Sequence, residues 1–179
     1  MRRLVLVSGM PGAGKTSLAR PLAQALGFTL VCKDELKETL FDHLPATEGP
    51  DSLIWPRRLG GAAMELLWRL AAHAPAAVLE ANFRPRSHYE RAKLTALEAS
   101  IVEVHCRCPA DLAIARYNAR AATPTRHAVH YTAIDPGDIA TFAAEFEGPI
   151  DLFPVLEVDT TVLVDVADVA RRVLALFGG

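Results

Sequence analysis

Near the start of the chain, Gly9-Met10-Pro11-Gly12-Ala13-Gly14-Lys15-Thr16 has the spelling G-x-x-x-x-G-K-S/T of a phosphate-binding loop. The chemistry of that spelling is specific. Glycines let successive backbone N–H groups turn inward around phosphate oxygens, Lys15 brings a point charge to the terminal phosphates, and the Thr16 hydroxyl is placed to ligate Mg²⁺. Context agrees with spelling: Leu4-Val5-Leu6-Val7 reads as a buried strand before the loop, and Ser17-Leu18-Ala19-Arg20 opens a helix after it. Residues Gly9 to Ser17 are therefore expected to contact a nucleoside triphosphate. The bland alternative is a glycine-rich turn between strand and helix.

A phosphate-binding loop does not by itself specify transfer to an acceptor, so further groups matter. Asp34, in Val31-Cys32-Lys33-Asp34-Glu35, stands where a strand ends and a helix begins. An acid there can take the proton of an acceptor hydroxyl during phosphoryl transfer. It can equally be a helix N-cap, a position that favours Asp regardless of catalysis. Glu80 ends the apolar run Ala77-Val78-Leu79, a position suited to ordering Mg²⁺ through water. Asn82 and Arg84 follow in the next loop and are expected to reach the acceptor; Arg86 reads as surface arginine. Arg116 and Arg120 share one helix face, and Arg126 follows in a proline-containing loop. Three arginines so placed suit a lid that closes over a triphosphate and neutralises transferring charge, with Arg120 and Arg126 in that catalytic role. His127 and His130 read as an exposed polar loop, and Trp55 as packing.

These groups need a scaffold. Five apolar runs read as strands: Leu4–Val7, Phe28–Cys32, Ala76–Leu79, Ile101–Cys106 and Val155–Val158. Most are continuous rather than alternating, as in strands covered on both faces. Ile101–Cys106 alternates in part and is expected nearer an edge. Helical patterns fall between the strands, over about 15–26, 34–41, 58–72, 87–99, 110–121, 138–146 and 166–177. In the third, Leu59, Ala63, Leu66, Leu67 and Leu70 form the expected core stripe with Trp68 at its margin. Pro21 falls inside the first helix and predicts a bend near Ser17. Strand–helix alternation gives a three-layer α/β fold: a five-stranded parallel sheet, helices on both faces and a small helical lid over about 116–136. Leu44 to Pro56 and Thr123 to Gly137 read as irregular binding loops.

With 179 residues, 51% of them hydrophobic, the chain is long enough for one domain over 1–179 with a real core, and its composition is that expected of a folded chain. Net charge is −2 with no extended basic run, so duplex nucleic acid is not implied, although a local patch could still bind a strand end. No stretch approaches the roughly 20 apolar residues of a membrane span. Three cysteines make no disulfide framework and read as reduced thiols of a cytoplasmic protein.

Together these segments resemble the small P-loop kinases grouped as AAA-type ATP-binding proteins, which include chloramphenicol phosphotransferase, zeta toxin, gluconate kinase and the kinase domain of polynucleotide kinase. The resemblance rests on Gly9–Thr16, Lys33-Asp34-Glu35-Leu36-Lys37, Glu80-Ala81-Asn82-Phe83-Arg84, Cys108-Pro109 through Arg116 and Arg120, and Val158-Asp159-Thr160-Thr161, and covers nearly the whole chain. It implies ATP and Mg²⁺ as cofactors, Asp34 as base, Arg116 over the nucleotide, and Asp159 and Thr160 beside the adenine. Glu80 stands where an aspartate is common, which leaves two roles open, ordering Mg²⁺ with Thr16 or contacting the acceptor. His127-Ala128-Val129-His130 is a loose version of the family's lid sequence.

The expected activity is ATP-dependent transfer of the γ-phosphate to a hydroxyl of a small molecule. Transfer to a polynucleotide 5′-hydroxyl and a zeta-like toxin are alternatives. A nucleotide-binding switch with slow hydrolysis is the rival from another class, since a P-loop alone does not decide.

Overall fold

The computed structural model describes residues 1–46, 54–124, 126–130, 134 and 136–178. Five strands, β1 (Arg3–Ser8), β2 (Thr29–Cys32), β3 (Ala76–Glu80), β4 (Ser100–Arg107) and β5 (Val155–Asp159), form one parallel sheet in the order β2-β3-β1-β4-β5. The helices are α1 (Lys15–Leu26), α2 (Lys33–His43), α3 (Ile54–His73), α4 (His88–Thr95), α5 (Ala110–Ala121), α6 (Ile139–Glu145) and α7 (Val166–Phe177), with a 3₁₀ turn over Pro136–Asp138. This is the P-loop NTPase arrangement: the loop strand is central, and all five carboxyl ends point to one edge, where ligands of such sheets bind.

Period-two alternation along β1 divides the core. Val5 and Val7 face a cluster with Leu18, Leu22 and Val173 from α1 and α7. Leu4 and Leu6 face one with Leu67, Trp68 and Leu94 from α3 and α4. Helix α1 runs unbroken through Pro21, and Ser17, whose carbonyl loses its donor to the proline, is an exposed residue.

Several expectations are corrected. Strand β4, expected nearer an edge, is the penultimate strand, between β1 and the edge strand β5. The polar residues that made β4 alternate, Glu103 and His105, are buried. Helix α3 begins at Ile54, so Trp55 and Pro56 lie in its first turn, where a missing N–H costs no helical bond. Its buried face is Leu59, Ala63, Leu67, Trp68 and Ala71, while Leu66 and Leu70 are exposed. Helix α4 starts one residue later than expected, because Ser87 caps it by accepting from the Glu90 N–H at 3.3 Å. It stops at Thr95, before Glu98 adopts φ 49°. Of the two expected binding loops, 47–53, 125, 131–133 and 135 lie outside the described residues. In the described part of the lid, α5 ends at Ala121 and no helix follows before the 3₁₀ turn. No helix among the described residues is long and apolar enough to cross a membrane, and the three cysteines are free.

Candidate active site

The loop after β1 is built around glycines that no other residue replaces. Gly9 and Gly12 have φ of 127° and 87°. A Cβ on Gly12 would lie 1.9 Å from the Ala113 carbonyl oxygen, so the loop packs directly on the α5 backbone. Lys15 is 5% exposed and its Nζ donates to the Met10 carbonyl at 2.9 Å. Burial pulls its ammonium pKa below the ordinary value, and Glu80, Cys106 and Asp34 oppose that pull.

Because β3 pairs with β1, Glu80 comes level with Val7, just before the loop. Its carboxylate is 5% exposed, accepts from the Cys32 thiol at 2.7 Å and is hydrogen-bonded by the Thr16 hydroxyl. Burial raises its pKa against the lowering effect of Lys15. Thr16, Lys15 and Glu80 are thus one cluster.

Strand β2 passes into α2 without a linker. The N-cap is Cys32, so Asp34 is not the cap; it lies in the first turn. Asp34 Oδ1 accepts from Lys33 Nζ at 3.1 Å. Burial alone would raise this carboxyl, but the charges of Lys33, His130 and Lys15 outweigh it and hold the pKa below the ordinary carboxylate range. Asp34 is therefore ionised at neutral pH, the state a general base needs.

Helix α5 supplies the other wall. Arg116 Nη1 donates to the Thr160 carbonyl at 3.1 Å, tying α5 to the turn after β5. Thr160 is buried and its hydroxyl donates to the Arg107 carbonyl, while the Asp159 carboxylate turns back onto the N–H and hydroxyl of Thr161. The charge of Arg120 is felt at Lys15 and at Tyr117. Arg126 stacks over the Tyr117 ring at 5.4 Å, and its Nε is buried without a hydrogen-bond partner among the described residues.

Residues 126–130 fold back onto α2. Lys37 Nζ donates to the Val129 carbonyl at 3.0 Å, and Val129 is fully buried. His130 Nε2 meets Glu38 at 2.6 Å, and His127 Nε2 meets Asp42 at 3.1 Å. The histidines are thus docking groups; the His130 side chain is only 7% exposed. Asn82 is partly exposed beyond β3. Arg84 pairs with Glu145 at 3.4 Å and Arg86 with Glu147 at 3.1 Å, so in this arrangement both arginines brace α6 and the segment after it.

Lys33, Lys37 and Tyr117 were not singled out by sequence, yet all bear on Asp34. Lys33 and Lys37 are four apart on α2 with Asp34 between them, and Tyr117 adjoins Arg116. Those spacings were the available signals.

Lys37 makes a testable case. Burial, with the charges of Lys33 and Arg126, lowers its pKa to about 8, against a raising effect of Asp34. The unfolded chain therefore binds more protons than the folded one between about pH 8 and the ordinary value of 10.5, and stability gains with pH across that window. Lysine ¹³Cε NMR should show one ammonium titrating near pH 8 that is missing from Lys37→Met. A wild-type spectrum in which every lysine titrates near the ordinary value would contradict this assignment.

A protein-family model described as an AAA domain matches residues 4–147. Among solved structures, a presumed kinase of Chloroflexus aurantiacus is 28% identical with a TM-score of 0.84, covering 97% of each chain. A gluconokinase of Sinorhizobium meliloti 1021 is 18% identical with a TM-score of 0.54, covering 99% of this chain and 91% of that one. A shikimate kinase of Acinetobacter baumannii, solved with shikimate, is 16% identical with a TM-score of 0.56, covering 98% and 93%. At those identities the last two establish the shared fold. No curated protein sequence matches this chain significantly. Carrying the phosphate-binding loop in its expected strand–loop–helix setting and matched over residues 4–147, the chain belongs to the AAA domain family of P-loop proteins.

Proposed function

We propose that the protein is an ATP-dependent kinase that transfers the γ-phosphate to a hydroxyl of a small anionic acceptor. The observation that carries the reading is the placement of the Asp34 carboxyl in the first turn of α2, within charge range of Lys15 in the phosphate-binding loop. A switch needs no such base.

The loop N–H groups and Lys15 hold the β- and γ-phosphates. Thr16 and Glu80 offer neighbouring oxygen donors, the kind a hard divalent cation takes when phosphates and water complete its shell. Mg²⁺ bound there would neutralise charge on the phosphate oxygens. Of the two roles open to Glu80, its burial beside Lys15 and Thr16 supports the one at the cation. Arg116 and the Thr160 turn frame the base of the nucleotide.

In the transfer step Asp34 accepts the acceptor's hydroxyl proton. The acceptor oxygen bonds to the γ-phosphorus, the bond to the β–γ bridging oxygen breaks, and ADP leaves. Arg120 and Arg126 stabilise the charge spread over the transferring group. The lid over 116–136 excludes water, and its docking on α2 through Val129, His127 and His130 supports that closure.

Positive charge gathers near Asp34: Lys33 and Arg126 both act on Lys37, and Asp34 is the acid that opposes them there. An acceptor with a carboxylate or phosphate beside its hydroxyl would complete the balance. The gluconokinase and shikimate kinase of the same fold are consistent with this acceptor class. ³¹P NMR of ATP incubated with hydroxy acids, phosphorylated sugars and neutral polyols tests the reading. A new phosphoester with an anionic member is expected; ATP turnover that no acceptor changes would favour the switch.

A further inference from the structure

A cavity of about 450 Å³ lies on the far side of the phosphate-binding loop from Asp34. Sheet order separates the two: Asp34 follows β2 at one edge, whereas the cavity opens at the ends of β4 and β5 near the other. Ala140, Ala143 and Ala144 form one wall. They share a face of α6, and their short side chains leave the space open. Met10 and Phe146 add apolar surface.

The floor is polar in one sense only. His105 and Glu157 are direct neighbours in the β4–β5 register and share a face of the sheet. His105 is 8% exposed. Its Nδ1 lies 2.9 Å from Ser8 Oγ, and that hydroxyl donates its single proton to Glu103 Oε1 at 2.5 Å. Glu103, fully buried, also accepts from the Ile150 and Asp151 N–H groups at 3.0 and 3.2 Å, so it acts as an acceptor throughout. The network therefore assigns the imidazole proton to Nδ1, which donates to Ser8. Burial holds the ring's pKa below its ordinary value, Glu103 and Glu157 opposing, so Nε2 is a lone-pair acceptor at neutral pH. Nε2 has no partner among the described residues, and neither has the Glu157 carboxylate. The other charges at the rim are matched, Arg107 with Asp159 at 3.7 Å and Glu147 with Arg86 at 3.1 Å.

We propose that this cavity is a binding site for a small primary amine with an apolar body. The ammonium donates to His105 Nε2 and Glu157, and the body lies against the alanine face of α6 and Met10. An ammonium supplies donors and positive charge where the site offers two acceptors and one unmatched negative charge. Met10 links the site to the nucleotide loop, because its carbonyl holds Lys15 Nζ.

The proposal is independent of the kinase reading, and its test needs no turnover. Titrations of the full chain with 2-phenylethylamine, 2-phenylethanol and phenylacetate, followed by calorimetry and NMR, compare probes with one body and three head groups. Saturable one-to-one binding of the amine is expected, at least tenfold tighter than either other probe. Glu157→Gln, on an exposed edge position, should weaken the amine about tenfold, and Ala144→Leu should block the cavity from an exposed helix position; unchanged melting checks that both fold. Amine binding should persist in saturating ATP and in Asp34→Asn. Equal binding of the three probes, no saturable binding, displacement by ATP, or amine affinity unchanged in either cavity variant would overturn it.

Discussion

Asp34→Asn is expected to lower the transfer rate by about 10²–10⁴-fold, the usual worth of a positioned acid–base group. The replacement keeps shape and hydrogen-bonding capacity but removes the acceptor for the hydroxyl proton. Lys33 Nζ, which now donates to Asp34 Oδ1, can still donate to the amide oxygen, so α2 and the docked 126–130 segment should stay in place. ATP affinity should change little, and the loss should appear in kcat rather than in nucleotide binding. The pH profile sharpens the expectation. The Asp34 pKa lies below the ordinary range because neighbouring charges outweigh its burial. Its protonation should therefore not limit the rate anywhere near neutral pH. An acid limb between pH 6 and 7 that is present in the wild type but vanishes in Asp34→Asn would contradict this assignment. Steady-state rates with a phosphorylatable acceptor from pH 5 to 9 provide the check.

Gly12→Ala carries the largest expected cost to the fold. At φ 87° any side chain is strained, typically by about 1–3 kcal/mol. For a chain of this size that strain alone lowers Tm by roughly 2–12 °C. A Cβ would also fall 1.9 Å from the Ala113 carbonyl oxygen and 2.7 Å from its carbonyl carbon, so loop or helix must give way. Both carry proposed nucleotide contacts, so ATP binding should fail together with stability. Gly27→Ala isolates the clash. Gly27 has φ 66°, but nothing lies within 4 Å of its added Cβ. Calorimetric melting should place Gly12→Ala well below Gly27→Ala, and the two should differ in ATP-induced stabilisation. Equal melting temperatures would mean that the loop does not press on α5.

The phosphate-binding loop was legible because its chemistry is backbone chemistry, and glycine, lysine and threonine specify it without distant partners. Strands that are apolar on both faces announced themselves for the same local reason. What escaped was set by contacts remote in sequence. Glu103 and His105 imitated the outward face of an edge strand, yet both are buried: Ser8 bonds Glu103 and His105 Nδ1, and the Ile150 and Asp151 N–H groups complete Glu103. His127 and His130 looked like loop polarity because their partners, Asp42 and Glu38, lie on a helix about 90 positions earlier. The turn of α3 that buries Trp68 and exposes Leu66 and Leu70 follows from Phe83, whose ring lies 5.7 Å from Trp68; helical spacing alone allowed either face. Asp34 was found by its place between strand and helix. The cations that surround it were not, because Arg126 and Lys37 meet only when residues 126–130 fold onto α2.

In the proposed reaction phosphate goes to a hydroxyl rather than to water. Single-turnover partition of γ-labelled ATP, with enzyme in excess and an anionic hydroxyl acceptor present, tests it most directly. Label is expected mainly in the phosphoester for the wild type, with phosphoester formation slowed by at least about 10²-fold in Asp34→Asn. Label appearing only as inorganic phosphate, or a phosphoester formed equally fast by both proteins, would contradict it.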